Sequence, residues 1–573
     1  MAVKFAGPLR QRARQSSPRR QRARWLIQVV AVVAVSAACA VLFWCYARLS
    51  ATFPGGSDGA SNALEAWDML HGNWLLHGWT LTDVAFYTTE LPEYAVVELV
   101  HGLAPGVLHA AAALTYTLLV LLAALLARGR ARGTEGWARA LITAGILAAP
   151  QLGNSVHVLL AQPDHLGTQV LILGAFLLLD QAPQRRFTPL ATGLLLTAAV
   201  VADKITIVDA VVPLAFGGLL HAAWTRRASA RRFKLSLAVA AGASAGTGLL
   251  ALRLIGRSGG FALLPVKTAL TTPGGVPGHL SLAWHGVLSL FGADATSAPH
   301  GTQTVLAWLH APGIALAVAA FAVVVWHVPS QHDLVSDVLA VAVVVNLAGF
   351  VASVIPATPF DTREIAALLP FGAVLAGRVF GPRARTRPAV AALAVAGVCQ
   401  LAALGYGTAQ PAAADPEQPL ASWLAAHRLT CGLGTFTDSN LTTLDSGRTV
   451  RVLAASWPVP AGPGPNIRSG LGAPGAPYGL AFQLPQPGGI AVPRLYQSAA
   501  SWYDPGACYA NFVVTGTADG SADLIPYGEI LALGGPPDRT YQVQAFTILV
   551  WSTNLLDRLG TPPSTAPGVI GHP

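Results

Sequence analysis

Between residues 58 and 98 the chain carries seven carboxylates, Asp58, Glu65, Asp68, Asp83, Glu90, Glu93 and Glu98, with few basic residues nearby. Carboxylates can serve as general bases or as metal ligands. Asp58 stands apart, because it follows the turn Gly55-Gly56-Ser57 directly behind an apolar run and would be held at the edge of that run. Glu65 and Asp68 are three apart and share a face of a helix. Leu64, Trp67 and Leu70 would lie opposite, which suits a helix along a membrane surface. Later breaks between apolar runs hold Gln162-Pro163-Asp164-His165, Asp203-Lys204 and Thr362-Arg363-Glu364. Pro163 ends any helix before it and leaves Asp164 and His165 at the break. Lys204 and Arg363 are residue types that bind phosphate. Taken singly, each of these residues is accounted for at least as well by helix capping, by pairing at an interface or by a solvated loop. Their convergence on one side of the chain's apolar runs is what points to chemistry.

Composition sets the medium in which these residues work. Of 573 residues 53% are apolar and 11% are charged, against roughly 25% charged in a soluble domain. Mean hydropathy is +0.51. Apolar runs near the roughly 20 residues that cross a bilayer lie at 25–46, 107–127, 235–254, 312–328, 338–355, 365–379 and 389–405. The longer regions 140–180 and 189–224 are each interrupted near the middle, at 154–165 and at Asp203-Lys204, and read as helical hairpins. About eleven transmembrane helices follow from this count. The first run is too long for a cleaved signal segment and is read as an uncleaved span.

Lys and Arg placement gives the orientation. With the N-terminus inside, the segments around 4–24, 128–139, 185–186, 226–234 and 383–387 are cytoplasmic, and all are basic; the loop near 327–337 is not. The charge of +9 and pI near 9.6 are therefore a topology signal. Nucleic-acid binding would need basic residues gathered on one face with aromatics between them, and is excluded as a partner class. The expected organisation is a basic cytoplasmic tail at 1–24, a transmembrane domain at 25–405 with a large first outside loop at 47–106, and an extracytoplasmic domain at 406–573.

That last segment turns to Pro, Gly, Ser and Thr. A short amphipathic helix at 419–428 precedes strand-like runs at 449–455, 479–484, 511–517 and 541–552, which predict a small α+β or β-rich domain. Asp438-Ser439-Asn440 reads as a turn. Gly470-Leu471-Gly472-Ala473-Pro474-Gly475 matches a nucleotide-binding pattern, but Pro474 and the absence of a βαβ context make it loop. Cys39, Cys45 and Cys399 fall in spans as small apolar residues. Cys431 and Cys508 share the outside domain, where a disulfide between them is expected.

The layout resembles the GT-C superfamily of multi-spanning glycosyltransferases that use polyprenyl-phosphate-linked sugars. In that superfamily a long first outside loop carries an essential acidic residue soon after the first span. Ser57-Asp58-Gly59-Ala60-Ser61-Asn62 through Trp67-Asp68-Met69-Leu70 resembles that segment, and Phe86-Tyr87-Thr88-Thr89-Glu90-Leu91-Pro92-Glu93-Tyr94 the stretch before the second span. Asp164 resembles the acidic position of the second outside loop, and Lys204 and Arg363 the basic positions that meet lipid phosphate. Gly432-Leu433-Gly434-Thr435-Phe436 and Asn554-Leu555-Leu556 resemble parts of the outside C-terminal domain. A single carboxylate in Ser57-Asp58-Gly59 stands where an acidic pair is common, and Leu91-Pro92 where Pro-Pro is usual.

The resemblance implies a multi-pass plasma-membrane enzyme that moves sugar from a polyprenyl-phosphate donor to an envelope glycan, lipid or protein. Asp58 would be the catalytic base, with Glu65, Asp68, Glu90, Glu93, Asp164, His165, Lys204 and Arg363 lining the substrate. Asp58 and Asp164 are the ligands expected for a divalent cation such as Mg or Mn. Two other classes stay open: a transporter or flippase, and a non-catalytic envelope-assembly protein binding through its C-terminal domain. A transporter calls for ionisable residues at mid-membrane depth, where Asp209 is the chief example.

Overall fold

A computed structural model of the protein describes residues 18–161, 165–183, 185–264, 269–296, 301–327, 333–384, 386–457, 491–516, 525 and 527–560. Away from water a backbone must bond within its own segment, so apolar runs become helices. The chain begins with α1 (Pro18–Ser50), α2 (Ser57–Leu70), strand β1 (Trp79–Leu81), α3 (Glu90–His101), α4 (Gly106–Arg128) and α5 (Gly133–Leu147). The single turn α6 (Asn154–Val156) runs into a π-helical turn at His157–Ala161. Then come α7 (Leu166–Gln181), α8 (Thr188–Ala202), a second π-helical turn at Ile207–Val211, α9 (Val212–Trp224) and α10 (Ala228–Arg257). Strand β2 (Ala262–Leu263), α11 (Val276–Leu290), α12 (Thr302–His327) and α13 (Leu334–Ala352) follow. A 3-10 segment, Pro359–Ile365, leads into α14 (Leu368–Phe380), and α15 (Arg387–Thr408) ends the helical region.

Among the described residues seven helices are long and apolar enough to cross a membrane, and there would be eight with the bent pair Pro359–Ile365 and Leu368–Arg383, kinked by 52°, taken as one span. This is a multi-pass membrane protein. The other expected spans coincide with α5, α7 and α8, which have 15, 16 and 15 residues. Helix α11 has no counterpart among the expected spans; it packs against the Pro359–Ile365 segment. The largest apolar core runs between α4, α7, α13 and α14, with Tyr46, Tyr116, Phe176 and Phe371 fully enclosed. Helices α5 and α14 approach so closely at Gly377 that a Cβ there would lie 2.2 Å from Thr143 Oγ1 and 2.5 Å from the Arg139 carbonyl oxygen. The next residue, the buried Arg378, donates to Asp180 at 2.7 Å, to Asp333 at 3.0 Å and to the Leu126 carbonyl at 2.7 Å. Such a buried ion pair fixes which helices meet more than it stabilises them.

The C-terminal domain is α+β. It contains α16 (Glu417–Ala426), β3 (Cys431–Gly434), α17 (Phe436–Asp445), β4 (Arg451–Ser456), β5 (Val492–Pro493), β6 (Ser498–Ala499), β7 (Phe512–Thr515), α18 (Tyr527–Gly534), β8 (Arg539–Val543) and β9 (Phe546–Val550). Six strands form one sheet in the order β5-β4-β3-β7-β9-β8, with β3 parallel to both its neighbours. Cys431 and Cys508 are joined, their Cα atoms 6.0 Å apart. The run read as one strand at 541–552 is instead the hairpin β8–β9, reversed at Gln544, whose φ is 52°. Asp438-Ser439-Asn440 lie in α17 rather than in a turn. The runs at 470–475 and 479–484 fall outside the described residues.

Helix α2 is more than a surface element of the helical region. It is buried between α3 and α17, and Leu64 is fully enclosed. A second, small sheet ties the same region together: β1 pairs in parallel with β2 and antiparallel with β6. The segment between α1 and α4 is thereby built into the C-terminal domain.

Candidate active site

The site starts at the N-terminus of α2. Asp58 lies in its first turn, where the positive end of the helix favours a carboxylate. The Ser57 hydroxyl donates to the Phe436 carbonyl at 2.8 Å. One turn along, the Asn440 amide donates to the Ser61 hydroxyl at 2.7 Å and to the Gln497 carbonyl at 3.2 Å. These bonds hold α2 against α17 and against the loop between β5 and β6. That loop delivers Arg494, whose guanidinium lies 4.6 Å from the Phe436 ring centre and 5.2 Å from that of Tyr496.

Tyr496 reports on its surroundings. Burial raises its pKa well above the usual tyrosine range, and the charges of Asp58 and Asp83 add to this while Arg494 and Arg363 oppose it. One phenol thus faces carboxylates from α2 and the loop after β1, a guanidinium from the C-terminal domain and another from the segment before α14.

A second group adjoins it. His165, left-handed at φ 63°, precedes α7. It donates from Nδ1 to Asp203 at 2.5 Å and from Nε2 to Glu364 at 3.2 Å. Burial alone would lower its pKa, but the two carboxylates outweigh that and hold the ring well above the usual histidine range, so both nitrogens carry protons. Asp83 is pushed up to about 6 by burial and by Glu364 and Asp203, while His165 and Lys204 pull it down. Arg363 Nε lies 3.7 Å from Glu364 Oε1.

The structure therefore brings Asp58, His165, Lys204 and Arg363 to one place, and Asp164 lies outside the described residues. The other expected contacts sit behind that place. Glu90 accepts the Gly167 N–H at 2.8 Å and fastens α3 to α7; Glu93 accepts from the Thr115 hydroxyl of α4. Asp68 accepts from Arg448 and from Trp79 Nε1, both at 2.9 Å. Glu65 is buried beside Asp68 and Asp58. Arg494 and Tyr496 were not picked out from the sequence, and Asp83, Asp203 and Glu364 were noted there without being assigned to the site. Asp203 and Glu364 had a usable signal, since each adjoins a chosen cation. Arg494 and Tyr496 had none, because only the pairing of β6 with β1 carries them there.

Of the two residues expected to hold a divalent cation, Asp58 is described and Asp164 is not. Among the described residues no group of three or more His, Cys, Asp or Glu is placed to hold a metal ion. Asp203 and Glu364 instead share the protonated ring of His165, and Asp58 faces Tyr496.

Burial raises the Glu90 carboxyl to about 8 and that of Glu93 to about 7. Each binds its proton more tightly folded than unfolded. Their stabilising contribution is thus full below about pH 4.3, the unperturbed glutamate value, and is lost as pH rises through about 7 to 8. The thermal midpoint should accordingly fall between pH 5 and pH 9. Glu90→Gln, which keeps an oxygen for the Gly167 N–H, should flatten that fall; an unaltered slope would count against the assignment.

No family model matches the chain, and no curated protein matches it. Solved structures of the oligosaccharyltransferase of Archaeoglobus fulgidus are similar. The form tethered through a disulfide to an acceptor peptide with the NVT sequon is 12% identical, covering 84% of this chain and 69% of that one at a TM-score of 0.44. The apo form gives 12%, 84%, 69% and 0.46. The complex with Zn and sulfate gives 13%, 72%, 61% and 0.44. Likenesses so distant do not speak to activity, which has to be read from the residues of the site.

Proposed function

We propose that the protein is a glycosyltransferase that moves a sugar from a polyprenyl-phosphate donor to a cell-envelope acceptor at the outer face of the membrane. The observation that carries this reading is the gathering of charge at the junction of the helical region and the C-terminal domain, where Arg494 lies 5.2 Å from the Tyr496 ring centre and Asp58, Asp83 and Arg363 act on the same phenol. In this reading Asp58 is the base and the cations bind phosphate, where the helical region meets the C-terminal domain. The basic segments and the disulfide of the C-terminal domain support the orientation.

In this mechanism the acceptor hydroxyl attacks the anomeric carbon of the sugar. Asp58 takes the hydroxyl proton as the new C–O bond forms. The bond from the anomeric carbon to the phosphate oxygen breaks, and its electron pair leaves with the phosphate. Arg363 and Lys204 meet the charge that grows there, where preorganised cations act most strongly. Glu364 and Asp203, fixed by His165, hold the backbone that carries these two cations. The polyprenyl chain lies between spans, and the C-terminal domain closes over the acceptor.

Asp209, the residue that suggested transport, is satisfied within the protein: it accepts from Gln169 at 2.7 Å and from Asn346 at 2.6 Å. Purified protein in liposomes, supplied with a panel of polyprenyl-phosphate sugars and with cell-envelope material as acceptor, should release polyprenyl phosphate from at least one as its sugar passes to the acceptor. Arg363→Ala should cut that turnover about ten- to a hundredfold, the cost of losing a charged hydrogen bond of about 1.5–3 kcal/mol. Turnover equal in the variant, or no greater than in protein-free liposomes, would overturn the proposal.

A further inference from the structure

Three rings from three separate parts of the chain form a continuous stack that ends on Arg363. Phe53, just beyond α1, lies 5.0 Å from His157 with the rings 5° from parallel. His157, at the head of the first π-helical turn, lies 4.8 Å from Phe360 at 30°. The Arg363 guanidinium sits over the Phe360 ring, 4.2 Å from its centre. A cation on a ring face is attracted by the ring's quadrupole, by about 2 kcal/mol or more when desolvated. A guanidinium lying flat on a ring also keeps its donors in its own plane, directed sideways at a planar or tetrahedral anion.

We infer that this stack is the device that sets Arg363 for the phosphate of a lipid-linked substrate, with His157 as its central positioning residue. The inference rests on the donor reading given above. Phe53 precedes Asp58 by five residues, so the stack begins at the corner that also carries the base. It thereby spans the gap between the proton-accepting and phosphate-binding ends of the site. Isolated Phe360 would restrain the guanidinium from one side only. With His157 and Phe53 stacked beside it, the ring cannot tilt without displacing the α1–α2 corner. The π-helical turn is consistent with this role, because such turns recur where a side chain must be re-aimed. His157 does not touch the reacting atoms in this scheme; it acts through Phe360 on Arg363.

The test uses the whole protein in liposomes with and without polyprenyl phosphate, read as the ligand-dependent shift in thermal midpoint, beside His157→Ala, His157→Phe, Phe53→Leu and Arg363→Ala. Wild type should be stabilised by the lipid, and Arg363→Ala should lose the shift. His157→Ala should lose most of it, equivalent to roughly tenfold weaker binding, while its own lipid-free midpoint moves less. His157→Phe keeps a flat ring and should bind as wild type, a rescue that a merely space-filling role would not single out. Phe53→Leu, which keeps volume but not planarity, should weaken binding and guards against poor folding of His157→Ala. If His157→Ala and Phe53→Leu both bind as wild type while Arg363→Ala does not, the stack is irrelevant and the donor reading stands. Should His157→Phe be folded yet as weak as His157→Ala, stacking is not the mechanism. Should wild type gain no shift, or Arg363→Ala keep it, the donor reading itself falls, and the stack has nothing to position.

Discussion

Asp58→Asn is expected to lower sugar transfer by about 10²–10⁴-fold, the usual contribution of a positioned general base, while the protein stays folded. Asparagine has the same shape and remains a good residue for the first turn of a helix. What it loses is the ability to take the acceptor proton. Because that proton moves only in the transition state, kcat and kcat/KM should fall together while donor affinity is little changed. Initial rates in liposomes, with the melting midpoint as a control for folding, measure both. Transfer within a few-fold of wild type would remove Asp58 from the mechanism. The same variant separates catalysis from a pure assembly role, in which a folded protein with intact C-terminal surfaces should be indifferent to it.

The second large effect concerns the Cys431–Cys508 bond. The two residues are 77 apart in sequence. A closed loop of that size is worth about 4–5 kcal/mol on the chain-entropy account, against a typical domain stability of about 5–15 kcal/mol. Cys431 opens β3, the strand with β4 and β7 on either side, and both cysteines are buried. A Cys431→Ala/Cys508→Ala protein should therefore show the C-terminal domain melting well below the rest, and digestion by protease near ambient temperature. Arg494 and Tyr496 lie within the closed loop, so transfer should be lost with the domain. A double variant that melts and turns over like wild type would show that the bond contributes nothing needed.

Much of the helical region is legible in the sequence because burial in lipid demands long apolar runs. The basic segments at 128–139 and 226–234 mark helix ends found at Arg128 and Ala228. Misreadings cluster where several partners decide the outcome. Leu64, Trp67 and Leu70 mark one apolar side of α2, but the sequence gives no sign that α17 and α3 also bury polar residues such as Ser61, Asn62 and Glu65. The stretch 541–552 looks like one strand because a residue such as Gln544 gives no turn signal of the Asn-Gly kind, although it takes the left-handed conformation. At the site, residues next to helix breaks, such as His165, Lys204 and Arg363, could be found because a break is a local property. Arg494, Tyr496 and the stacking of His157 between Phe53 and Phe360 depend on long-range packing, which leaves no local pattern.

The small sheet that joins β1 to β6 bears on how the protein is made. Strand β1 leaves the ribosome early, and its antiparallel partner, Ser498–Ala499, is synthesised more than four hundred residues later. At about 5–20 residues per second that is a wait of tens of seconds, through the insertion of almost every span. Throughout it the edge later covered by Ser498–Ala499 stays open, a template for stray pairing. A nascent chain stalled before residue 498 should carry a fully inserted helical region with its catalytic corner unsealed. On the proposed function, sugar transfer should begin only once the last domain has emerged and docked.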